Sequence, residues 1–116
     1  MALLRSGLII AAGYAQKVRR VLFAQTRDLV KNGQLSLRDV AGAARQLNMI
    51  LYELIVEELR LEKGDVVRIS IEYEIEDSTI RWKMDTLVVE VWKRMADEYV
   101  SEKVEKIRSR GVAGEE

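Results

Sequence analysis

The chain has 116 residues, 48% of them hydrophobic and 33% charged, with no cysteine, no histidine and no proline. That length holds one domain with one modest core. Without cysteine there are no disulfides, thiolate metal sites or Cys nucleophiles. Without histidine the commonest general base and metal ligand is missing, so the residues point to a binding protein that is not an enzyme and needs no cofactor.

Formal net charge is zero, but it is unevenly spread. Residues 1–50 carry eight Lys and Arg against two Asp and Glu, whereas residues 51–116 carry eleven against seventeen. Segregation of this kind gives a neutral protein a local positive field. No apolar run approaches the length of a membrane span, and the Ala2–Ala12 stretch is interrupted by Arg5 and lacks a basic leader, so a cytoplasmic protein is expected. Abundant Glu, Lys and Arg without proline suit a thermophile.

In chain order, Leu3 to Ala12 reads as a short buried strand or a lead-in to a helix. A first helix is predicted from Tyr14 to about Lys31, ended by Asn32-Gly33. Its core stripe is Tyr14, Val18, Val21, Leu22 and Leu29. On the opposite side Phe23 and Val30 stand among Arg19, Arg20, Thr26, Arg27 and Lys31. Two readings compete for that side. The ring packs on another subunit or element with the arginines as a solvated rim, or it is a stacking platform in a positive groove for a single strand of nucleic acid.

Ser36-Leu-Arg-Asp39 is an Asp version of the capping box and opens a second helix, expected to run through Leu61. Val40, Ala44, Leu47, Leu51, Leu54 and Ile55 form its core stripe. Met49, Tyr52 and Val56 lie on another side, and so nearly apolar a circumference predicts self-association through those three residues. Glu57, Glu58, Glu62 and Asp65 gather near the helix end. Nothing in their spacing shows converging ligands, and they read as solvated acids with no metal.

Asp65 to Ile75 alternates as a strand, Glu76 to Thr79 is a turn, and Ile80 to Trp92 returns antiparallel. Pairing Ile75 with Ile80 sets Tyr73 near Trp82 and Ile71 near Met84 on the apolar face. Arg68, Arg81 and Lys83 fall on the wet face with Glu72 and Glu74. The alternation slips at Asp85-Thr86, which implies a bulge, a bend or two strands, and leaves Trp92 facing outward. A charged helix spans Arg94 to Arg110, with Met95, Tyr99, Val100, Val104 and Ile107 on one side, and Gly111 to Glu116 is expected to fray. The fold class is therefore α+β: two long helices and a short C-terminal helix on a hairpin-based antiparallel sheet of three to four strands. Residues 1–94 form the domain, and 95–116 its helical appendage.

The segments SGLIIAAGYAQKVRRVLFAQTRDLVKNG, DVAGAARQLNMILYELIVEELRLEKGDVVRISIEYE and IRWKMDTLVVEVWKR together resemble the ThermoDBP-like family of archaeal single-stranded-DNA-binding proteins, over about Leu4 to Arg94. The resemblance implies helices packed on an antiparallel sheet, a cleft of apolar and basic side chains for single-stranded DNA, and oligomers whose subunits jointly enclose the strand, as dimer or tetramer. Longer members add a zipper-like C-terminal helix. Met95 to Arg110 holds barely two heptads, so oligomerisation through the domain itself is expected. The wheel and the strand parity, not the resemblance, select the candidate nucleic-acid contacts: Lys17, Arg19, Arg20, Phe23, Arg27, Lys31, Arg68, Arg81 and Lys83. The residues leave two alternatives open: a scaffolding oligomer without nucleic-acid affinity, and an RNA-binding module.

Overall fold

The register of three strands follows from which side chains must be buried. In the computed structural model, which describes residues 1–111, β1 (Ala2–Ile10), β2 (Val66–Glu76) and β3 (Thr79–Trp92) form an antiparallel sheet in the order β1-β2-β3. Leu4, Val67, Ile69, Ile71, Tyr73 and Ile80 are fully or almost fully buried on one face of it. A slip of one residue would turn each of these into water. The hairpin registers as the alternation predicts, with Ile75 opposite Ile80 and Tyr73 opposite Trp82. Asp77 and Ser78 both take positive φ (52° and 63°) in its two-residue turn, the geometry that matches strand twist. Tyr73 and Trp82 meet edge to face at 5.2 Å, and the Trp82 indole N–H donates to the Ala43 carbonyl at 2.9 Å. Trp82 thus belongs to the core.

Both ladders are interrupted. Between Arg5 and Leu8 the β1–β2 register shifts, with Gly7 at φ +68°. The Ser6 hydroxyl fills the break by accepting from the Ile69 N–H at 2.9 Å. The β2–β3 register shifts between Ser70 and Glu72, opposite residues 84–87. There Thr86 Oγ1 accepts from the Glu72 N–H at 2.8 Å and donates to the Lys83 carbonyl at 2.6 Å. The slip read at Asp85-Thr86 is therefore a bulge within one strand. It removes the expected pairing of Ile71 with Met84, which is exposed.

One layer of helices covers the buried face. A 3₁₀ turn (Ala11–Gly13) leads into α1 (Tyr14–Gln25), and α2 (Arg27–Lys31) continues it after a break at Thr26. Thr26 is fully buried, and its hydroxyl donates back to the Leu22 carbonyl at 2.8 Å, a local bond that bends helices. The single helix expected to Lys31 is thus two segments. Gly33 at φ +85° ends it and Leu35 is buried beyond the turn. In the capping box, the Asp39 N–H donates to Ser36 Oγ and the Ser36 N–H to Asp39 Oδ2, both at 3.0 Å, which holds the Asp39 carboxyl below its ordinary pKa. The helix α3 (Leu37–Tyr52) continues as a π turn over Glu53–Glu58. Arg60, at φ +50°, lies just past its end, so helical structure stops short of Leu61. Across the α1–α3 seam the Asn48 side-chain amide donates to the Ala15 carbonyl at 3.1 Å.

The final helix, α4 (Asp97–Arg110), is exposed along its whole length. The expectation that the chain frays from Gly111 falls, for 112–116, outside the described residues. Among the described residues no helix is long and apolar enough to cross a membrane.

Asp65, read from sequence as one of a solvated acidic group, is 1% exposed. Its carboxylate accepts from Lys93 Nζ at 2.6 Å, the Arg94 N–H at 2.7 Å and the Glu62 N–H at 2.8 Å, and its carbonyl accepts from the Ala11 N–H. One side chain therefore ties the start of β2 to the end of β3, and its backbone ties both to the end of β1. The Lys93 hydrogen bond and the two backbone donors lower its pKa from 3.8 to about 2. Because the folded value lies below the unfolded one, this stabilisation is complete above about pH 4 and disappears as pH falls through about 2. Asp65→Asn should lower the melting temperature at pH 7 and flatten its decline between pH 4 and 2, measured by circular dichroism across that range.

Candidate nucleic-acid interface

Among the described residues the helices lie on one face of the sheet and leave the opposite face open. The register sets its rows. Ile10, Val66 and Trp92 form one, Leu8, Arg68 and Glu90 the next, then Arg5, Ser70 and Val88, then Leu3, Glu72 and Lys83, and last Glu74 beside Arg81. Leu8, Ile10, Val88 and Trp92 are 62%, 56%, 51% and 44% exposed, large apolar groups that nothing among the described residues covers. Large apolar side chains exposed together on one face, interspersed with charged ones, mark a candidate binding face.

Cations stand among them. The Arg68 guanidinium lies 5.4 Å from the centre of the Trp92 ring, and its Nε donates to Glu90 Oε1 at 2.7 Å. That bond raises the Arg68 pKa and lowers that of Glu90, so both are charged at neutral pH. Arg81 pairs with Glu76 at 3.0 Å. Arg5 and Lys83 have no carboxylate partner among the described residues. The sequence reading placed Arg68, Arg81, Lys83 and Trp92 on this face. It missed Leu3, Arg5, Leu8 and Ile10. A run as apolar as GLII reads as buried, and only Gly7 signalled a bulge that turns Leu8 and Ile10 outward.

The helical candidates lie in a different place. Arg19, Arg20, Arg27 and Lys31 are exposed and Lys17 half-buried on α1 and α2, in the layer that covers the other side of the sheet. The two basic groups are not brought together. None of these five makes an ion pair among the described residues. Phe23 is not the open platform that the wheel suggested. It is half-buried against the core cluster, with the Arg19 guanidinium 4.9 Å from its ring centre. Val30 also packs on that cluster. The third candidate group is open to solvent: Met49, Tyr52 and Val56 are 67%, 50% and 40% exposed along α3 and its π turn. Tyr14 lies near enough to Tyr52 for the latter to add to the burial that raises its pKa.

A protein-family model described as ThermoDBP-related, archaea, matches residues 4–81. The chain belongs to that family. Two ThermoDBP-related structures superpose closely. One, apeThermo-DBP-RP2 bound to ssDNA dT10, has a TM-score of 0.87 and 55% identity over 91% of this chain and 49% of its own. The other, pfuThermo-DBP-RP1, has a TM-score of 0.73 and 39% identity over 94% of this chain and 70% of its own. The chain thus spans about half the length of the first relative. A search of curated proteins gave no match.

The two aromatic groups should separate in denaturant. Phe23→Ala opens a partial cavity and should cost about 2 kcal/mol, below the range for a fully buried ring. Trp92→Ala removes only an exposed ring and its contact with Arg68, and should cost about 0.5–1 kcal/mol. Urea unfolding of both variants checks the order.

Proposed function

We propose that this ThermoDBP-related protein is a non-catalytic, cytoplasmic, sequence-tolerant binder of single-stranded DNA, and that the open face of its sheet holds the strand. The observation that carries this reading is the exposed Trp92 ring beside Arg68, set among apolar side chains and the cations Arg5 and Lys83 on a surface that no other element among the described residues covers. Support comes from the 55% identical relative, described as bound to ssDNA dT10. Unstacked bases lie on aromatic and aliphatic side chains, while Lys83, Arg81 and Arg68 neutralise phosphates. The helix-face cations Lys17, Arg19, Arg20, Arg27 and Lys31, without an ion pair among the described residues, form a second phosphate-attracting surface, and Phe23 is assigned to packing.

Anisotropy with labelled dT10 tests the assignment. Trp92→Ala should weaken binding by ~1–3 kcal/mol, the worth of one stacked base. Lys83→Ala with Arg81→Ala should flatten the slope of log affinity against log salt by about 1.4, at about 0.7 per phosphate contact. Phe23→Ala should leave affinity per folded molecule unchanged. The same assay with matched duplex and RNA strands decides between the single-stranded DNA reading and an RNA module.

We further propose that copies of the chain associate through Met49, Tyr52 and Val56, whose exposure along α3 and its π turn supports a contact that would bury them. Tyr52→Asp should shift the mass measured by light scattering toward the monomer. A wild type that is monomeric at micromolar concentration would end this part of the reading.

A further inference from the structure

The register break in β1 leaves space on the open face. Gly7 sits there at φ +68°, and a Cβ added to it would meet nothing within 4 Å. A hollow of about 250 Å³ opens, lined by Arg5, Gly7, Arg68, Ile69, Ser70 and Glu90. This is room for a single planar ring system.

Its walls differ in charge. On one side Glu90 is positioned by Arg68, which bonds Oε1 and is itself seated beside Trp92; Oε2 has no donor among the described residues. On the other, the Arg5 guanidinium has neither a carboxylate partner nor a side-chain hydrogen bond among the described residues. A carboxylate held on β3 and, across β2, a guanidinium on β1 with no ion pair among the described residues line the same hollow, and together they suit a ring with two adjacent donors on one edge and two acceptors on the next. Thymine and uracil offer one ring N–H, and cytosine and adenine one amino group beside an acceptor. Guanine alone presents N1–H and the 2-amino group together, and its O6 and N7 are the pair that arginine reads bidentately.

We infer that the hollow is a guanine-preferring subsite within an otherwise tolerant strand surface, Glu90 accepting from N1–H and the 2-amino group and Arg5 donating to the O6/N7 edge. The inference rests on the reading that the open sheet face holds single-stranded nucleic acid. It deepens that reading by giving one position a base preference and naming the residues that set it.

The test is anisotropy of the full chain with dT10 and with three ten-nucleotide strands carrying one central dG, deoxyinosine or dA among thymidines. Because the strand can slide, a single guanine can find the hollow. The dG strand should bind about tenfold tighter than dT10, within the range of a bidentate base contact. Deoxyinosine, lacking the 2-amino group, should lose most of the gain, and dA all of it. Glu90→Gln should erase the dG-to-dT10 ratio, since an amide places a donor against guanine's donors. Arg5→Ala, which breaks no side-chain bond of the fold, should reduce that ratio independently. Equal binding of dG and dT10 strands overturns the subsite and leaves the single-strand reading standing. A dG preference that survives in Glu90→Gln overturns the assignment of the residue. Failure to bind any strand in dilute buffer overturns the functional reading and the subsite with it.

Discussion

A three-stranded sheet offers two faces, and this chain supplies one layer of helices. The helices α1 and α3 side by side cover the inner face, and their apolar stripes meet Leu4, Val67, Ile69, Ile71 and Tyr73 in a single cluster. Among the described residues no element is left for the outer face, since α4 is exposed throughout and adds no layer. Antiparallel sheets tolerate such an open side when it is polar. Here it is not uniformly polar: Leu8, Ile10, Val88 and Trp92 interrupt a lattice of Arg, Lys, Glu and Ser. An uncovered apolar surface of this kind costs solubility and is a common mark of an interaction site.

The two bulges decide which side chains reach that surface. In an uninterrupted β1, the parity that buries Leu4 and Ser6 would also bury Leu8 and Ile10. The break at Gly7 inverts it, turning those two outward and Ile9 inward, opposite Val67. The insertion around Thr86 does the same for β3, where the parity that buries Ile80 would have buried Val88 and Trp92. Bulges commonly re-aim side chains next to binding sites, and both of these are fastened by a hydroxyl, Ser6 in one and Thr86 in the other. Asp65 completes the frame at the far end, fixing Lys93 and Arg94, just past β3, beside the row that contains Trp92.

Local patterns were legible in the sequence, and long-range covers were not. The hairpin register, the capping box, the break in alternation at Asp85-Thr86 and the outward turn of Trp92 all follow from alternation or from residues three apart; that the break is a bulge and neither a bend nor two strands came only from the structure. Phe23 shows the limit. A helical wheel describes an isolated cylinder and does not know that neighbouring elements reach round to its flank, nor that Thr26 bends the helix. Asp65 shows another, since its partners Lys93 and Arg94 lie a hairpin away and no spacing rule links them. The π turn after Tyr52 likewise leaves no mark on a 3.6-residue pattern.

On the proposed function, the same open face explains why a chain of zero net charge would distinguish a single strand from a duplex. Phosphates are available to Lys83, Arg81 and Arg68 in either form, and attraction to them is tuned by salt alone. Trp92, Leu8, Ile10 and Val88 gain only when bases lie on them and water leaves. A duplex keeps its bases stacked inside and offers these side chains nothing but backbone. The acidic half of the chain, Glu72, Glu74 and Glu90 on this very face included, offsets the cations and keeps purely electrostatic binding weak. What remains is the stacking and burial contribution, available only from an unpaired strand. Selectivity would then come from mixing carboxylates into a basic surface, where a uniformly positive one would hold any polyanion.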